Sequence, residues 1–360
     1  MSRFFSKKYD GLAAYVPGEQ PQDMQYIKLN TNESPYPPSA KTQEAIQAEL
    51  GRLELYSDPE NRRLKRKLAR VYGVNENQVI TTNGSDEVLN FAFMAFADES
   101  RPLVFADITY GFYKVLAELA RIPYETIALR DDLTIDADDY IGIGCTATIV
   151  IANPNSPTGE YVEKSDIEKI VASNPDSIVI VDEAYINFGG DSSSSLVPKY
   201  DNLVVVSTFS KSYSLAGARL GFAIADSRLI ADMNTIKYSC DPYAVNRMSE
   251  AAGVAALVDG EYYKKNCDEI IKTRSWTAGE LKKLGFTMTD SRANFIFARH
   301  ESIGGEQLYE ELKKRGILIR HLSGERIKGY NRITIGTMSQ MQKFVEAVSQ
   351  ILGGVYGGAP

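Results

Sequence analysis

Histidine is nearly absent from this sequence: His300 and His321 are the only two, both late in a chain of 360 residues. A zinc site or a Ser/His hydrolase has little imidazole to draw on. Cysteine is as scarce. Cys145, Cys240 and Cys267 are odd in number and widely spaced. They offer neither a disulfide framework nor a paired thiolate site, so no metal is expected and a reducing cytoplasm fits. Long apolar runs are missing too. None approaches a membrane span, and the N-terminus has no signal-like apolar core, so no membrane is expected as a partner. Positive charge is in deficit: 40 Lys and Arg stand against 47 Asp and Glu, a net charge of −7. That balance argues against nucleic acid as the main partner. Gly142-Ile143-Gly144 lacks the third glycine of a dinucleotide loop and is set aside.

What the chain does have is apolar strands that end in polar clusters. At 44% hydrophobic residues it has ample material for one large domain and a smaller one. Val79–Thr82 runs into Asn83-Gly84-Ser85-Asp86-Glu87 and an apolar helix, Val88–Phe96. Ala147–Ala152 ends in Asn153-Pro154-Asn155-Ser156-Pro157-Thr158-Gly159. Ser177–Val181 delivers Asp182-Glu183-Ala184-Tyr185, and Leu203–Val206 delivers Thr208-Phe209-Ser210-Lys211. Further strands are expected over Pro102–Ala106, Tyr124–Leu129 and Leu220–Ala225, with basic or amphipathic helices over Lys41–Leu50 and Asn61–Tyr72. Nearly all-apolar strands separated by helices predict an α/β fold with a mostly parallel, doubly wound sheet. In such sheets ligands bind beyond the carboxyl ends of the strands, where these clusters lie. After Ala225 the pattern changes. A long helix over Glu261–Leu284, short strands at Phe295–Ala298, Ile317–Arg320 and Arg332–Thr337, and helices at Gln307–Arg315 and Gln340–Leu352 predict a smaller α+β domain. The expected division is residues 30–258 for the large domain, and 1–29 with 259–360 for the small domain and its N-terminal arm. Gly353–Pro360 reads as a glycine-rich tail.

Lys211 is the residue around which the clusters make sense. Thr208, Ser210, Ser212 and Ser214 surround it, and Arg219 follows among small residues. Hydroxyls, a guanidinium and backbone amides at a strand end make an anion pocket. A lysine in that pocket suits a phosphorylated carbonyl compound held as a Schiff base, and pyridoxal 5'-phosphate is such a compound. Asp182 at the neighbouring strand end would pair with the pyridine nitrogen and favour its protonated form. Each residue also has a plainer reading: Lys211 as a solvated loop lysine, Asp182, Ser85 and Asp86 as helix caps, Tyr110 as core.

Five motifs together carry a resemblance: GSDE, NPNSPTG, VDEAY, TFSKSYSLAGARLGF and RITIGT, in this order. With them the chain resembles the fold-type-I pyridoxal-phosphate aminotransferases, and within these it is similar to the histidinol-phosphate group. The resemblance extends from Tyr15 and Pro17-Gly18-Glu19 to Thr337. It implies Lys211 as the Schiff-base lysine, Asp182 on the pyridine nitrogen and Tyr185 on the ring O3'. It implies Ser85, Asp86, Ser210 and Arg219 on the cofactor phosphate, with Thr208 beside them, and Tyr110 stacked on the ring. Tyr56 is expected to reach the phosphate of a neighbouring subunit, which implies a homodimer with shared active sites.

One position departs from the family pattern. The family usually has Asn directly before Pro-Thr-Gly, contacting O3'; here Ser156 stands there, with Asn155 one earlier. Either could supply the contact. For the substrate, the resemblance implies Arg332 on an acidic group and Arg320 as a second cation, with Tyr15 and Asn32 lining the same end. Two guanidinium forks suit a phosphate dianion, although a solvated strand-end arginine explains Arg320 as well. The implied reaction interconverts L-histidinol phosphate plus 2-oxoglutarate with imidazole-acetol phosphate plus L-glutamate, a step of histidine biosynthesis. Aromatic amino-acid transamination, threonine-phosphate decarboxylation and a pyridoxal-phosphate-binding module without turnover stay open as alternatives.

Overall fold

The strands form where the apolar runs predicted them, and the chain order sets the layers. The computed structural model describes residues 2–143 and 147–357; Cys145 and the last three residues of the tail lie outside them. The N-terminal half contains β1 (Ile27–Lys28), α1 (Ala40–Glu49), α2 (Arg62–Tyr72), β2 (Val79–Thr82), α3 (Ser85–Phe96), β3 (Leu103–Ala106), α4 (Phe112–Ala120) and β4 (Tyr124–Ile127). Then follow β5 (Thr148–Ala152), α5 (Lys164–Ser173), β6 (Ile178–Asp182), β7 (Leu203–Thr208) and β8 (Gly221–Ala225). The chain continues through α6 (Ser227–Cys240), α7 (Arg247–Val258), α8 (Gly260–Lys283), β9 (Thr287–Met288), β10 (Phe295–Arg299) and α9 (Gly305–Lys314). It closes with β11 (Ile317–Leu318), β12 (Arg320–His321), β13 (Tyr330–Thr334) and α10 (Met338–Gly357).

Seven strands make the main sheet in the order β2-β8-β7-β6-β5-β3-β4. Only β8 runs against the rest, pairing antiparallel with both β2 and β7. Alternate side chains of each central strand feed different cores. Ile149, Ile151, Val179, Val181 and Val205 pack on one face; Val150, Ala152, Ile180, Val204 and Val206 pack on the other. Both faces are covered, which is why these strands read as unbroken apolar runs. Val179, Ile180 and Val181 have no exposed surface. Fully burying each such side chain contributes about 1.5–3 kcal/mol, so the end of β6, where Asp182 sits, is firmly placed.

A second sheet, β12-β13-β10-β9, is antiparallel throughout, and β1 pairs with β11 in parallel. Leu29, Ile296, Ile333, Phe344 and Val348 belong to its own core. Several elements escape the sequence reading, among them the short strands β1, in the arm expected to be irregular, and β9, and the helices α6 and α7. α6 and α7 fill the stretch between Ala225 and Glu261, where small and charged residues blur the helical period. The glycine-rich tail is also corrected: α10 runs on through Gly353 to Gly357, behind the buried Ile351 and Leu352. Among the described residues, no helix is long and apolar enough to cross a membrane.

Candidate active site

The carboxyl ends of the central strands finish level with one another. Ala152 is in register with Asp182, Asp182 with Val206, and Gly221 with both Thr208 and Thr82. Beyond them lies a cavity of about 260 Å³ lined by Ala152, Asp182, Thr208 and the loops that follow. An adjoining chamber of about 460 Å³ shares Tyr15, Tyr110, Ser156, Arg320 and Arg332 with it.

One end of the cavity is built for an anion. Ser85 opens α3 after Gly84, whose φ of 85° only glycine adopts easily. Gly84 has a second reason to be glycine: a Cβ there would lie 2.6 Å from Arg219 Nη2. Arg219 is itself in the left-handed region at φ 50°, an unusual conformation for a side chain of its size. Its guanidinium donates to Asp86 Oδ2 at 3.2 Å, and Tyr110 Oη donates to Asp86 Oδ1 at 3.0 Å. Thr208 Oγ1 donates to Ser210 Oγ at 3.0 Å and accepts from Ser210 N at 3.1 Å. Free amides at a helix N-terminus, two hydroxyls and a guanidinium are a phosphate-binding set.

Asp182 and Lys211 both line the cavity. Asp182 is 6% exposed. Its Oδ2 accepts from Tyr113 Oη at 2.7 Å and its Oδ1 from Ala184 N at 3.2 Å. Burial pushes its carboxyl up to about 6, against the lowering effect of the Tyr113 hydrogen bond. A buried carboxylate is costly without a cation, and among the described residues none pairs with it. Lys211 Nζ donates to Thr31 O at 3.2 Å and lies 5.9 Å from the Tyr185 ring centre. Tyr185 Oη accepts from Asn32 Nδ2 at 3.0 Å. Asn32 adopts φ 56°, held by Thr334 Oγ1, which accepts from Asn32 N at 2.9 Å and donates to Asn32 Oδ1 at 2.9 Å.

Two arginines close the far end. Arg332 Nη1 donates to Ser156 Oγ at 3.2 Å and Nη2 to Asn30 O at 3.1 Å. Its buried Nε has no partner. Burial lowers its guanidinium from the ordinary arginine value, and Arg320 adds to that effect. Arg320 donates through Nη1 to Pro17 O at 3.2 Å and through Nη2 to Val16 O at 2.9 Å. Tyr15 packs edge-on against Tyr110 and Phe112, with ring centres 6.2 and 5.4 Å away. An orphaned guanidinium donor with a second arginine on the same cavity is a seat for an acidic group.

Of the residues singled out in the sequence, Tyr15, Asn32, Ser85, Asp86, Tyr110, Ser156, Asp182, Tyr185, Thr208, Ser210, Lys211, Arg219, Arg320 and Arg332 all line this cavity. Asn155 does not. It is fully buried beneath the loop, where it donates to Ile108 O and Thr158 Oγ1 and accepts from Thr109 Oγ1. Of the two neighbours, only Ser156 lines the cavity. Tyr56 is also outside: it is 79% exposed and stacked on Tyr243 at 4.5 Å. The sequence reading missed Tyr113, three residues beyond Tyr110 on the first turn of α4, and the Thr31 carbonyl that receives Lys211. Tyr113 stands in the turn that opens α4, its backbone N donating to Tyr110 O at 3.1 Å, close to a residue already singled out. Among the described residues, no cluster of three His, Cys, Asp or Glu is placed to hold a metal ion.

Known proteins resemble this chain in sequence and in fold. The chain matches the family described as aminotransferase class I and II over residues 24–348. It is 45% identical over 353 residues to a histidinol-phosphate aminotransferase of Clostridium acetobutylicum, covering 98% of this chain and 100% of that one. A histidinol-phosphate aminotransferase of Brachyspira hyodysenteriae is 47% identical over 354 residues, covering 98% and 99%. Among solved structures, histidinol-phosphate aminotransferase of Sinorhizobium meliloti in complex with pyridoxal 5'-phosphate has the same fold. Its TM-score is 0.84 at 23% identity, covering 93% of this chain and 92% of that one. A family match across nearly the whole chain, over a cavity with a lysine, a buried carboxylate and an anion seat at either end, identifies the protein as a member of the class I and II aminotransferases.

Proposed function

We propose that the protein is a pyridoxal-phosphate-dependent aminotransferase acting on L-histidinol phosphate and 2-oxoglutarate, with imidazole-acetol phosphate and L-glutamate as products. The observation that carries this reading is the unpartnered, buried Nε of Arg332, which lines one cavity together with Arg320 and with a separate phosphate-binding set. Two anion seats in one cavity suit a phosphorylated cofactor at one end and an acidic substrate at the other. The relatives at 45–47% identity that bear this activity in their names support the choice of substrate.

The residues fit pyridoxal phosphate. The amides of Ser85 and Asp86, the Ser210 hydroxyl and Arg219 would hold its phosphate, with Thr208 ordering Ser210. Asp182, a buried carboxylate without a cation, would hold the ring nitrogen in its protonated form. Ser156 and Tyr185 would meet O3', and Tyr110 would stack on the ring. Bound there, the group supplies an aldehyde that condenses with amines and a ring that withdraws electrons from the carbon bearing the amino group. Among the described residues, Lys211 supplies the one side-chain amine that lines the cavity. It would hold the aldehyde between turnovers and would then carry the proton from the donor's α-carbon. Arg320 and Arg332 bind the donor's phosphate and, in the second half of the cycle, the carboxylates of 2-oxoglutarate, with Tyr15 and Asn32 beside them. Residues 30–258 would carry the cofactor set; residues 1–29 with 259–360 would bring Tyr15, Arg320 and Arg332.

Tyr56 points away from the cavity of its own chain, and its stacked, exposed ring favours a homodimer in which it reaches the partner's cofactor phosphate. The free thiols of Cys240 and Cys267 suit work in the cytoplasm. A donor screen with 2-oxoglutarate, followed through cofactor absorbance, tests the reading. Purified protein should be yellow, borohydride should fix the cofactor on Lys211, and histidinol phosphate should outperform phenylalanine and threonine phosphate without release of CO₂. A Lys211→Ala protein that kept full turnover would end it.

A further inference from the structure

Glu19 is not part of the cavity wall, yet it is tied to both arginines that are. Residues 13–22 form an arm without regular structure, and Tyr15, Pro17 and Gly18 of that arm line the cavity. Among the described residues, the hydrogen bonds joining this arm to the rest of the fold come from Val16, Pro17 and Glu19. The Glu19 carboxylate accepts from two side chains of α9, the Tyr309 hydroxyl and the Lys313 ammonium. Burial would raise its carboxyl, but Lys313 and Tyr309 outweigh it and hold the group below the usual glutamate range. Its carbonyl accepts from Asn30 Nδ2 at 2.9 Å, and the Asn30 carbonyl in turn accepts from Arg332 Nη2 at 3.1 Å. The carbonyls just before it, Val16 and Pro17, are the two that hold Arg320. Gly18 between them lies so close to Thr31 that a Cβ would sit 2.5 Å from Thr31 Cγ2. The arm is therefore seated directly on the segment that receives Lys211.

We propose that Glu19 is a positioning residue for substrate selection: its latch to Tyr309 and Lys313 fixes the arm, and the arm aims Arg320 and, through Asn30, Arg332. The proposal rests on the reading that these arginines bind the donor's anionic group. An arginine has many rotamers, and a fork held by two fixed carbonyls loses little freedom when an anion arrives. Without the latch the arm can leave, and that ordering must occur at binding. Glu19 itself touches neither Lys211 nor Asp182, only Asn30, Tyr309 and Lys313, so the loss falls on uniform binding. The donor KM rises while kcat holds.

The holoenzyme is assayed with histidinol phosphate and 2-oxoglutarate. Glu19→Ala is expected to raise the donor KM threefold or more, with kcat within twofold of wild type and an unchanged affinity for pyridoxal phosphate by absorbance titration. Lys313→Ala, which removes the partner from α9, should move KM in the same direction. The exchanged pair Glu19→Lys with Lys313→Glu should recover at least half of the lost affinity, whereas Glu19→Lys alone should not. A KM change below threefold in both single variants, or a fall in kcat as large as the rise in KM, overturns the proposal. If wild type transaminates other donors but no phosphorylated one, the functional reading falls, and the KM for glutamate then decides the latch by the same criterion.

Discussion

Arg320 on β12 stands directly opposite Arg332 on β13 in an antiparallel pair, so two guanidinium groups project from neighbouring positions on one face. Like charges in that relation destabilise a sheet, by an amount comparable to the ~0.2–1 kcal/mol that favourable cross-strand pairs contribute. The ligand-free protein carries this strain at one end of its cavity, and a bound anion would relieve it. Replacing Arg320 by Gln should therefore leave the Tm of the ligand-free protein unchanged or slightly higher. The same change should lower kcat/KM for histidinol phosphate by roughly 10- to 100-fold, the range expected for losing one charge-assisted contact. Calorimetry and steady-state kinetics on one preparation check both halves. A clear drop in Tm would show that Arg320 is structural, held for its contacts to Val16 and Pro17.

Tyr113 sets the charge on Asp182. Its fully buried phenol donates to Oδ2 at 2.7 Å and opposes the burial that raises the carboxyl to about 6. In Tyr113→Phe that opposition is gone, so Asp182 stays protonated to higher pH. Because Asp182 must be ionised to hold a ring cation, affinity for pyridoxal phosphate should fall on the acid side and recover as pH rises. The midpoint of this dependence, near pH 6 in wild type, should move upward by about one unit, so affinity should drop about fivefold at pH 6 and approach about tenfold at lower pH, as loss of a hydrogen bond to a charged group implies. Titrating cofactor-free protein at several pH values measures it. An unmoved midpoint would remove Tyr113 from the site.

Glu183, beside Asp182, faces away from the cavity and makes a different prediction. Its carboxylate accepts from Ser193 N at 2.6 Å and Ser192 Oγ at 2.6 Å, and burial pushes it up to about 7. A carboxyl whose folded value lies above its unfolded one stabilises the fold at low pH. That stability is lost as pH rises from about 4.5, the unfolded range, through about 7. The full difference is on the order of 3 kcal/mol. Glu183→Gln cannot ionise, so the Tm of wild type minus that of the variant should fall by a few degrees between pH 5 and pH 8. A constant difference would mean that Glu183 is already ionised at pH 5.

Asp182 and the cluster that holds Lys211 were legible in the sequence for one physical reason, whereas Arg332, in the middle of β13, came only with the family resemblance. A strand buried on both faces must be apolar, so the first polar residue after it marks the sheet's end and the ligand's position. The two neighbours Asn155 and Ser156 were not separable. Only the fold of the loop decides that Asn155 turns inward to Ile108 and Thr158 while Ser156 faces Arg332. Glu19 carried no signal at all, since its partners lie 290 and 294 positions away and no local period links an arm to a distant helix. α6 and α7 were missed because buried polar residues such as Lys237 and Glu250 interrupt their apolar stripe.

Gly221 is the position where the smallest change should do the most to the phosphate end. It is in register with Thr208 on one side and Thr82 on the other, at the edge of the cavity. A Cβ there would lie 2.3 Å from Ser85 N and 2.4 Å from Gly84 C, both backbone atoms that no rotamer change can move. Gly221→Ala must push the Gly84–Ser85 turn away from β8, and with it the amides that open α3 and the guanidinium of Arg219 packed on Gly84. Overpacking of this kind costs about 1–3 kcal/mol. Affinity for pyridoxal phosphate should fall tenfold or more, because its phosphate donors no longer converge. Gly217→Ala, in the same loop, is the control: nothing lies within 4 Å of its Cβ, so Tm and cofactor affinity should match wild type. If Gly221→Ala bound the cofactor as tightly as that control, the turn before α3 could not be the phosphate seat.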